Sequence, residues 1–295
     1  MTADDDIAAR LQLINTEGIG PVGFKRLLAR FGSAEEALRE TAAKKKVPSR
    51  QWAEEELERV RSFGAVVLSS ADPRYPQKLS ELDDAPPLLY VKGNIALLNH
   101  RPAVAVVGTR NATIIGRKLT SKISFELTEN DVLIVSGMAR GIDAAAHKGA
   151  MYAKERRGPT IAVLGTGIDR IYPPENEELY HQIGEQGLLV SEYPMGTNAQ
   201  SGNFPRRNRI VVALSDRQIR LADYRPHGRR PQPADFRNPR IPRGSAFGRP
   251  QFAFAPRRAV GGKRRRHSEC FKQQNQTGTT PADRRRRMRF IYKDP

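Results

Sequence analysis

Four short loops hold most of the residues that could do chemistry, and each follows an apolar run. They read Gly108-Thr109-Arg110-Asn111, Ser136-Gly137-Met138-Ala139-Arg140-Gly141-Ile142-Asp143, Gly165-Thr166-Gly167-Ile168-Asp169 and Ser191-Glu192-Tyr193-Pro194-Met195-Gly196. Glycine permits tight turns and close approach of a ligand to the backbone. A helix starting behind such a loop offers unpaired N–H groups and the positive end of its dipole. Arg110 and Arg140 add fork-shaped donors suited to phosphate. The set favours a polyanion. The plainer reading is that the glycines serve the turns and Arg140 pairs with Asp143 or Asp169. A fifth segment is Asn203-Phe204-Pro205-Arg206-Arg207-Asn208-Arg209-Ile210. Arg206, Arg207 and Arg209 beside the Phe204 ring suit a single-stranded nucleic acid, with cations on its backbone and a ring for a base. Taken alone, this segment also reads as a solvated basic helix start with Phe204 in the core.

Catalytic constellations are thin. Outside the C-terminal tail the histidines are His100, His147 and His181, with no metal-ligand spacing among them. His147 lies four residues after Asp143, which makes either an acid–base pair or a local helix contact. Gly165-Thr166-Gly167 begins like a dinucleotide fingerprint, but Arg170 stands where the third glycine belongs, and the loop at Gly108 lacks the pattern too. There is no phosphate-loop lysine motif. The expectation is no catalytic residue, no metal and no cofactor.

The loops need a scaffold, and the apolar runs supply it. Ala103–Val107, Val132–Val135, Thr160–Leu164 and Gly187–Val190 lack polar alternation, as strands buried on both faces do. Helix-length segments at roughly 114–129, 143–154 and 175–185 separate them. The alternation predicts an α/β fold, a Rossmann-like, doubly wound, mostly parallel sheet over residues 63–215. In such a sheet all four loops share the carboxyl edge, where ligands bind. Two more short strands are expected at 65–70 and 88–91. Residues 1–62 read as a small helical domain. A glycine turn at Gly18-Ile19-Gly20 leads into a helix with Phe24, Leu27, Leu28 and Phe31 on one face, Gly32 ends it, and Ser33 with Glu36 makes a capping box. Two helices about a Gly-x-Gly turn follow the helix-hairpin-helix (SAM-like) pattern, which either holds a phosphate on its N–H groups or is a plain packing module.

Composition breaks near Ser215. Of 50 Lys+Arg and 32 Asp+Glu, residues 215–295 hold 22 and 6, so nearly all of the net charge of +18 belongs to this stretch. It is rich in Arg, Pro and Gly and contains Lys263-Arg264-Arg265-Arg266 and Arg284-Arg285-Arg286-Arg287. Residues 216–295 are expected to be a disordered basic tail. The single cysteine, Cys270, lies there, so no disulfide framework is expected. The acidic start Met1-Thr2-Ala3-Asp4-Asp5-Asp6 has no apolar core of a secretory signal, and no apolar run is long enough to span a bilayer.

In order, these segments resemble the DNA-processing protein A family (DprA, also called Smf). The likeness rests on Gly108-Thr109-Arg110 with Gly116, on the Ser136–Asp143 and Ala162–Asp169 stretches, on Tyr172-Pro173, on Ser191-Glu192-Tyr193-Pro194 with Gly196, and on Phe204–Ile210. Asp72-Pro73-Arg74-Tyr75-Pro76 and Pro86-Pro87-Leu88-Leu89-Tyr90 add to it. It covers roughly residues 7–215. The resemblance implies a cytoplasmic bacterial protein, not an enzyme, that binds single-stranded DNA, protects it during natural transformation and loads RecA. It implies a phosphate site at Gly108, Thr109 and Arg110, bordered by Arg140, while the loops themselves, as read above, add Gly137, Gly141, Gly165 and Gly167 as phosphate-loop glycines. Phe204 would lie against a base, with Arg206, Arg207 and Arg209 nearby. The family is dimeric. Beyond Ser215 the chain departs from the family's next strands, through either a change of reading frame or an authentic basic tail that tethers DNA. Loss of those strands would weaken stability and pairing into a homodimer. The alternatives are a phosphoribohydrolase-like nucleotide hydrolase, whose Pro-Gly-Gly-x-Gly-Thr-x-x-Glu signature is absent, and non-specific binding through the tail.

Overall fold

The structure, a computed structural model, describes residues 3–153 and 160–221. Residues 222–295, which hold most of the basic tail and Cys270, fall outside the described residues.

Four helices open the chain: α1 (Ala3–Ile14), α2 (Pro21–Phe31), α3 (Ala34–Ala42) and α4 (Arg50–Ser62). Pro21 suits the first turn of α2, where its missing N–H is no loss. Gly32 ends that helix at φ 83°, and the Ser33 hydroxyl then accepts from the Glu36 N–H at 3.1 Å to start α3. Ser49 does the same for Trp52 at the head of α4. Phe24 is buried against Leu13, Ile19 and Ala37, with Leu27, Leu28 and Phe31 packed around it. The predicted apolar face is therefore the inner face of the hairpin.

Seven strands follow: β1 (Val66–Ser69), β2 (Leu88–Gly93), β3 (Ala103–Gly108), β4 (Leu133–Ser136), β5 (Thr160–Val163), β6 (Leu188–Ser191) and β7 (Arg217–Leu221). They form one sheet in the order β1-β2-β6-β5-β4-β3-β7. The five strands from β6 to β7 run parallel, with Val104 beside Ile134 and Ile161 beside Leu188. The β1–β2 and β2–β6 pairs are antiparallel. A short helix, α5 (Gln77–Ser80), links β1 to β2, a 3-10 turn (Ile95–Asn99) lies between β2 and β3, and α6 (Ile114–Glu129), α7 (Ile142–Met151), α8 (Glu177–Gln186) and α9 (Asn203–Ala213) connect the strands from β3 to β7.

The two faces of the sheet explain the unbroken apolar runs. Ala103, Ala105, Leu133, Val135, Ile161 and Val163 pack towards Ile210, Val211 and Leu214 at α9. Val104, Val106 and Ile134 point the other way, onto Ile142, Ala146 and Ala150 of α7. Each fully buried Val, Leu or Ile contributes about 1.5–3 kcal/mol. A third cluster joins Ala8, Leu11, Ala53, Leu57 and Val60 of the helical unit to Val67, Leu88, Tyr90, Ala162 and Leu164 of the sheet. The helical unit thus shares a core with the sheet. Helix α6 lies outside α7, and buried Thr120, Ser124 and Thr128 let the two helices come close.

One difference from expectation concerns residues 216–221. The sheet does not stop at 215: β7 pairs in parallel with β3 from Val104↔Arg217 to Gly108↔Leu221. The chain passes from β6 back across the sheet through α9 to reach the far side of β3. Strand order therefore reverses at β3, and the loop after β3 opens at this switch point, where open parallel sheets leave a crevice for ligands.

Candidate nucleic-acid interface

The loops at the carboxyl ends of β3, β4 and β5 meet one another through their backbones. Gly141, at φ 78°, sits against the carbonyls of Thr109 and Arg110 with no room for a side chain. The Ile142 N–H donates to Thr109 at 3.2 Å and so starts α7 on that loop. Gly108 packs on Ile142 and on the end of β7. The loop after β5 is tied to the loop after β4 by the Asn176 amide, which donates to the Met138 carbonyl at 2.8 Å. It is tied to the loop after β6 by the Gly167 N–H, which donates to Thr197 at 2.9 Å. Gly165 meets the Phe204 ring, and the Asn203 amide donates to the Gly165 carbonyl at 3.1 Å. The start of α9 is thereby fixed to the end of β5.

Arg110 and Phe204 come together at this edge: the guanidinium carbon lies 5.2 Å over the ring centroid, a cation–π contact. Arg110 is exposed, and among the described residues no carboxylate pairs with it. Thr109 is half-buried, and its hydroxyl accepts from the Asn111 N–H at 3.1 Å. Arg140 is exposed and pairs with Glu175 at 3.3 Å, in place of the Asp143 or Asp169 partner that was the plainer expectation. Arg206 is open to solvent, with Glu192 its nearest carboxylate at 3.9 Å.

The other two arginines of the cluster have different surroundings. Arg207 is buried, and its guanidinium donates to the carbonyls of Gly137 and Val163 at the ends of β4 and β5. Arg209 is clamped to Glu192 at 2.6 Å and to Asp84 at 2.9 Å. As the protein stands, neither points a free cation outwards, which corrects the expectation that all three arginines face a phosphate. The reason is helical spacing. Arg207 falls three residues before Ile210 and four before Val211, on the buried face of α9, while Arg206 is turned away.

Below the loops lies Asp143, buried in the first turn of α7. Burial pushes its carboxyl up to about 6, against the pull of Arg207 and of the N–H groups of Ala139, Gly108 and Gly137. His147 is fully buried, and its Nδ1 lies 2.7 Å from the Thr160 hydroxyl rather than on Asp143. Burial, with Arg207 nearby, lowers it to about 3, so the ring is neutral. Asp143 and Arg207 together hold the ends of β3, β4 and β5. They were not in the expected roles of surface partner and phosphate ligand.

Tyr172 joins the site without having been singled out for it. Its ring centroid is 5.4 Å from that of Phe204, tilted by 36°. An aromatic residue in the loop after β5 was the available signal. Among the described residues no group of three or more His, Cys, Asp or Glu is placed to hold a metal ion, and no helix is long and apolar enough to cross a membrane.

Known proteins resemble this chain in sequence and in fold. Residues 66–221 match the family model described as DNA recombination-mediator protein A, and residues 4–58 match that of a DprA-like N-terminal HHH domain. The chain is 39% identical over 238 residues to Protein Smf of Synechocystis sp., covering 72% of this chain and 57% of that one. It is 48% identical over 146 residues to DNA processing protein DprA of Streptococcus pneumoniae, covering 50% of each. The chain thus spans about half the length of these relatives. The X-ray structure of DNA processing protein A from Streptococcus pneumoniae superposes with a TM-score of 0.62 at 31% identity, over 72% of this chain and 77% of that one. With a family model matched from β1 to β7 and a second over the helical unit, the chain belongs to the DNA recombination-mediator protein A family.

Proposed function

We propose that this chain binds single-stranded DNA along the carboxyl edge of its sheet and acts in the bacterial cytoplasm on DNA taken up during transformation, protecting the strand and passing it to RecA. The observation that carries the reading is the Arg110 guanidinium poised over Phe204, with exposed Arg206 on the same helix as that ring. Cations for a phosphate backbone next to an aromatic surface for a base are what an unpaired strand offers ligands for. Gly108, Thr109 and Gly141 would bring backbone groups to the phosphates, with Arg140 at the border, and Gly137, Gly165 and Gly167 would shape the loops. Arg207 and Arg209 serve by holding this edge. No step of bond making is assigned to the site, and no cofactor is needed for it. The family's description as a recombination mediator supports the RecA step.

The test is binding of a fluorescent oligothymidylate by Arg110→Ala and Arg206→Ala proteins across a salt series. Each change is expected to weaken binding by about ten-fold and to lower the salt slope by about 1. A duplex of equal length should bind less tightly than the single strand. Unchanged affinity in both variants would rule this edge out.

A further inference from the structure

The aromatic surface at this edge has two rings, and they are not equally open. Phe204 is half-buried. One side of it lies on the end of β5, so close that a Cβ on Gly165 would stand 2.8 Å from its Cδ1. The Arg110 guanidinium covers it at 5.2 Å. Tyr172 leans on Phe204 at 5.4 Å and is 39% exposed.

The loop that carries Tyr172 is firmly held. The Arg170 N–H donates to Gly167 at 2.9 Å, and the Thr166 hydroxyl donates to the Arg170 carbonyl at 2.8 Å. Ile168 is buried, its carbonyl accepts from the Tyr180 hydroxyl, and Asn176 anchors the far side to Met138. A large ring on a fixed loop is a preset contact surface that costs little entropy to use.

We propose that Tyr172 is the platform on which a nucleobase of the bound strand stacks, and that Phe204 with Arg110 forms its backing. This rests on the reading that the edge binds single-stranded DNA. A ring face reads no base edge, so the contact tolerates any base but requires that one be unpaired and free to leave its neighbours. Phe204 then acts chiefly by setting the tilt of Tyr172 and the place of Arg110.

The experiment compares the full chain with Tyr172→Leu, Tyr172→Phe and Tyr172→Trp on two probes of equal length, oligothymidylate and an abasic strand. Phosphates are the same in both, and only one carries bases. The parent chain should bind the abasic strand about ten-fold more weakly. Tyr172→Leu should lose a similar factor on oligothymidylate and almost nothing on the abasic strand, whereas the Phe and Trp variants should keep parent affinity. Equal losses by Tyr172→Leu on both probes would mean that the ring only supports the fold, and the proposal falls. Parent-like binding of oligothymidylate by Tyr172→Leu, with binding lost in Arg110→Ala, would overturn the stacking role while leaving the edge as the DNA site. Parent-like binding in all variants, Arg110→Ala and Arg206→Ala included, would overturn both.

Discussion

Asp143 and His147 sit one helical turn apart in α7, and their burial moves their proton affinities in opposite directions. Asp143, raised to about 6 from 3.8, holds a proton in the folded chain at a pH where the unfolded chain has lost it. Its contribution to stability grows as pH falls from about 6 towards 4. His147, lowered to about 3 from 6.5, stays neutral in the fold while the unfolded chain takes up a proton. Its contribution is complete above about 6.5 and is lost as pH falls. Between about pH 4 and 6 the two cancel proton for proton. Asp143→Asn should remove the offset and lose about 2 kcal/mol of stability between pH 6 and 4.5, and His147→Gln should gain a similar amount over the same interval. Urea unfolding at the two pH values reads both, and parallel slopes in parent and variants would refute the pairing. Neither side chain's surroundings were legible from the spacing of four. Spacing put them on one turn, but Thr160, which faces His147, lies on β5. Arg207 is different, because its partners Ile210 and Val211 were in view and helical periodicity alone separates it from Arg206.

At the scale of elements, continuous apolar runs made the central strands easy to read, because burial on both faces leaves no polar alternation to confuse them. The same criterion passed over β7. In Arg217-Gln218-Ile219-Arg220-Leu221 only Ile219 and Leu221 turn inwards, onto the face shared with Val104 and Val106. Among the described residues β7 is an edge strand whose exposed positions are the polar Arg217, Gln218 and Arg220, and a search for an unbroken apolar run misses it. The α6–α7 contact was equally silent, since it depends on what is small rather than on what is apolar. Gly149 lies against the Ser121 backbone, and a methyl group there would overlap the Ser121 carbonyl. Gly149→Ala is expected to cost about 1–3 kcal/mol despite its better helix propensity, because backbone cannot yield as a side chain can. Thermal unfolding would show this as a melting point several degrees lower, and an unchanged or raised one would contradict the packing described.

For the molecule as a whole, the boundary near residue 62 is a boundary in sequence more than in packing. Glu56 of α4 is fully buried; its carboxylate accepts from the Met195 N–H at 2.7 Å, in the loop after β6, and pairs with Arg59. Removing that acceptor leaves the part-buried Met195 N–H without its partner, at about 1–3 kcal/mol. Glu56→Ala should lower stability by that amount and speed hydrogen exchange at Met195, and Glu56→Gln, which can still accept, should restore most of both. If exchange at Met195 is the same in Glu56→Ala and parent, the link does not operate. Trp52, Leu57 and Val60 reach the same core as Tyr90 and Leu164, so no clean seam separates the first 62 residues from the rest. Excising them would strip the cover from one side of the sheet and untether Met195 in the same stroke. Under the DNA-binding role proposed above, loss of binding in a shortened protein would report damage to this shared core and not the removal of a second contact with the strand.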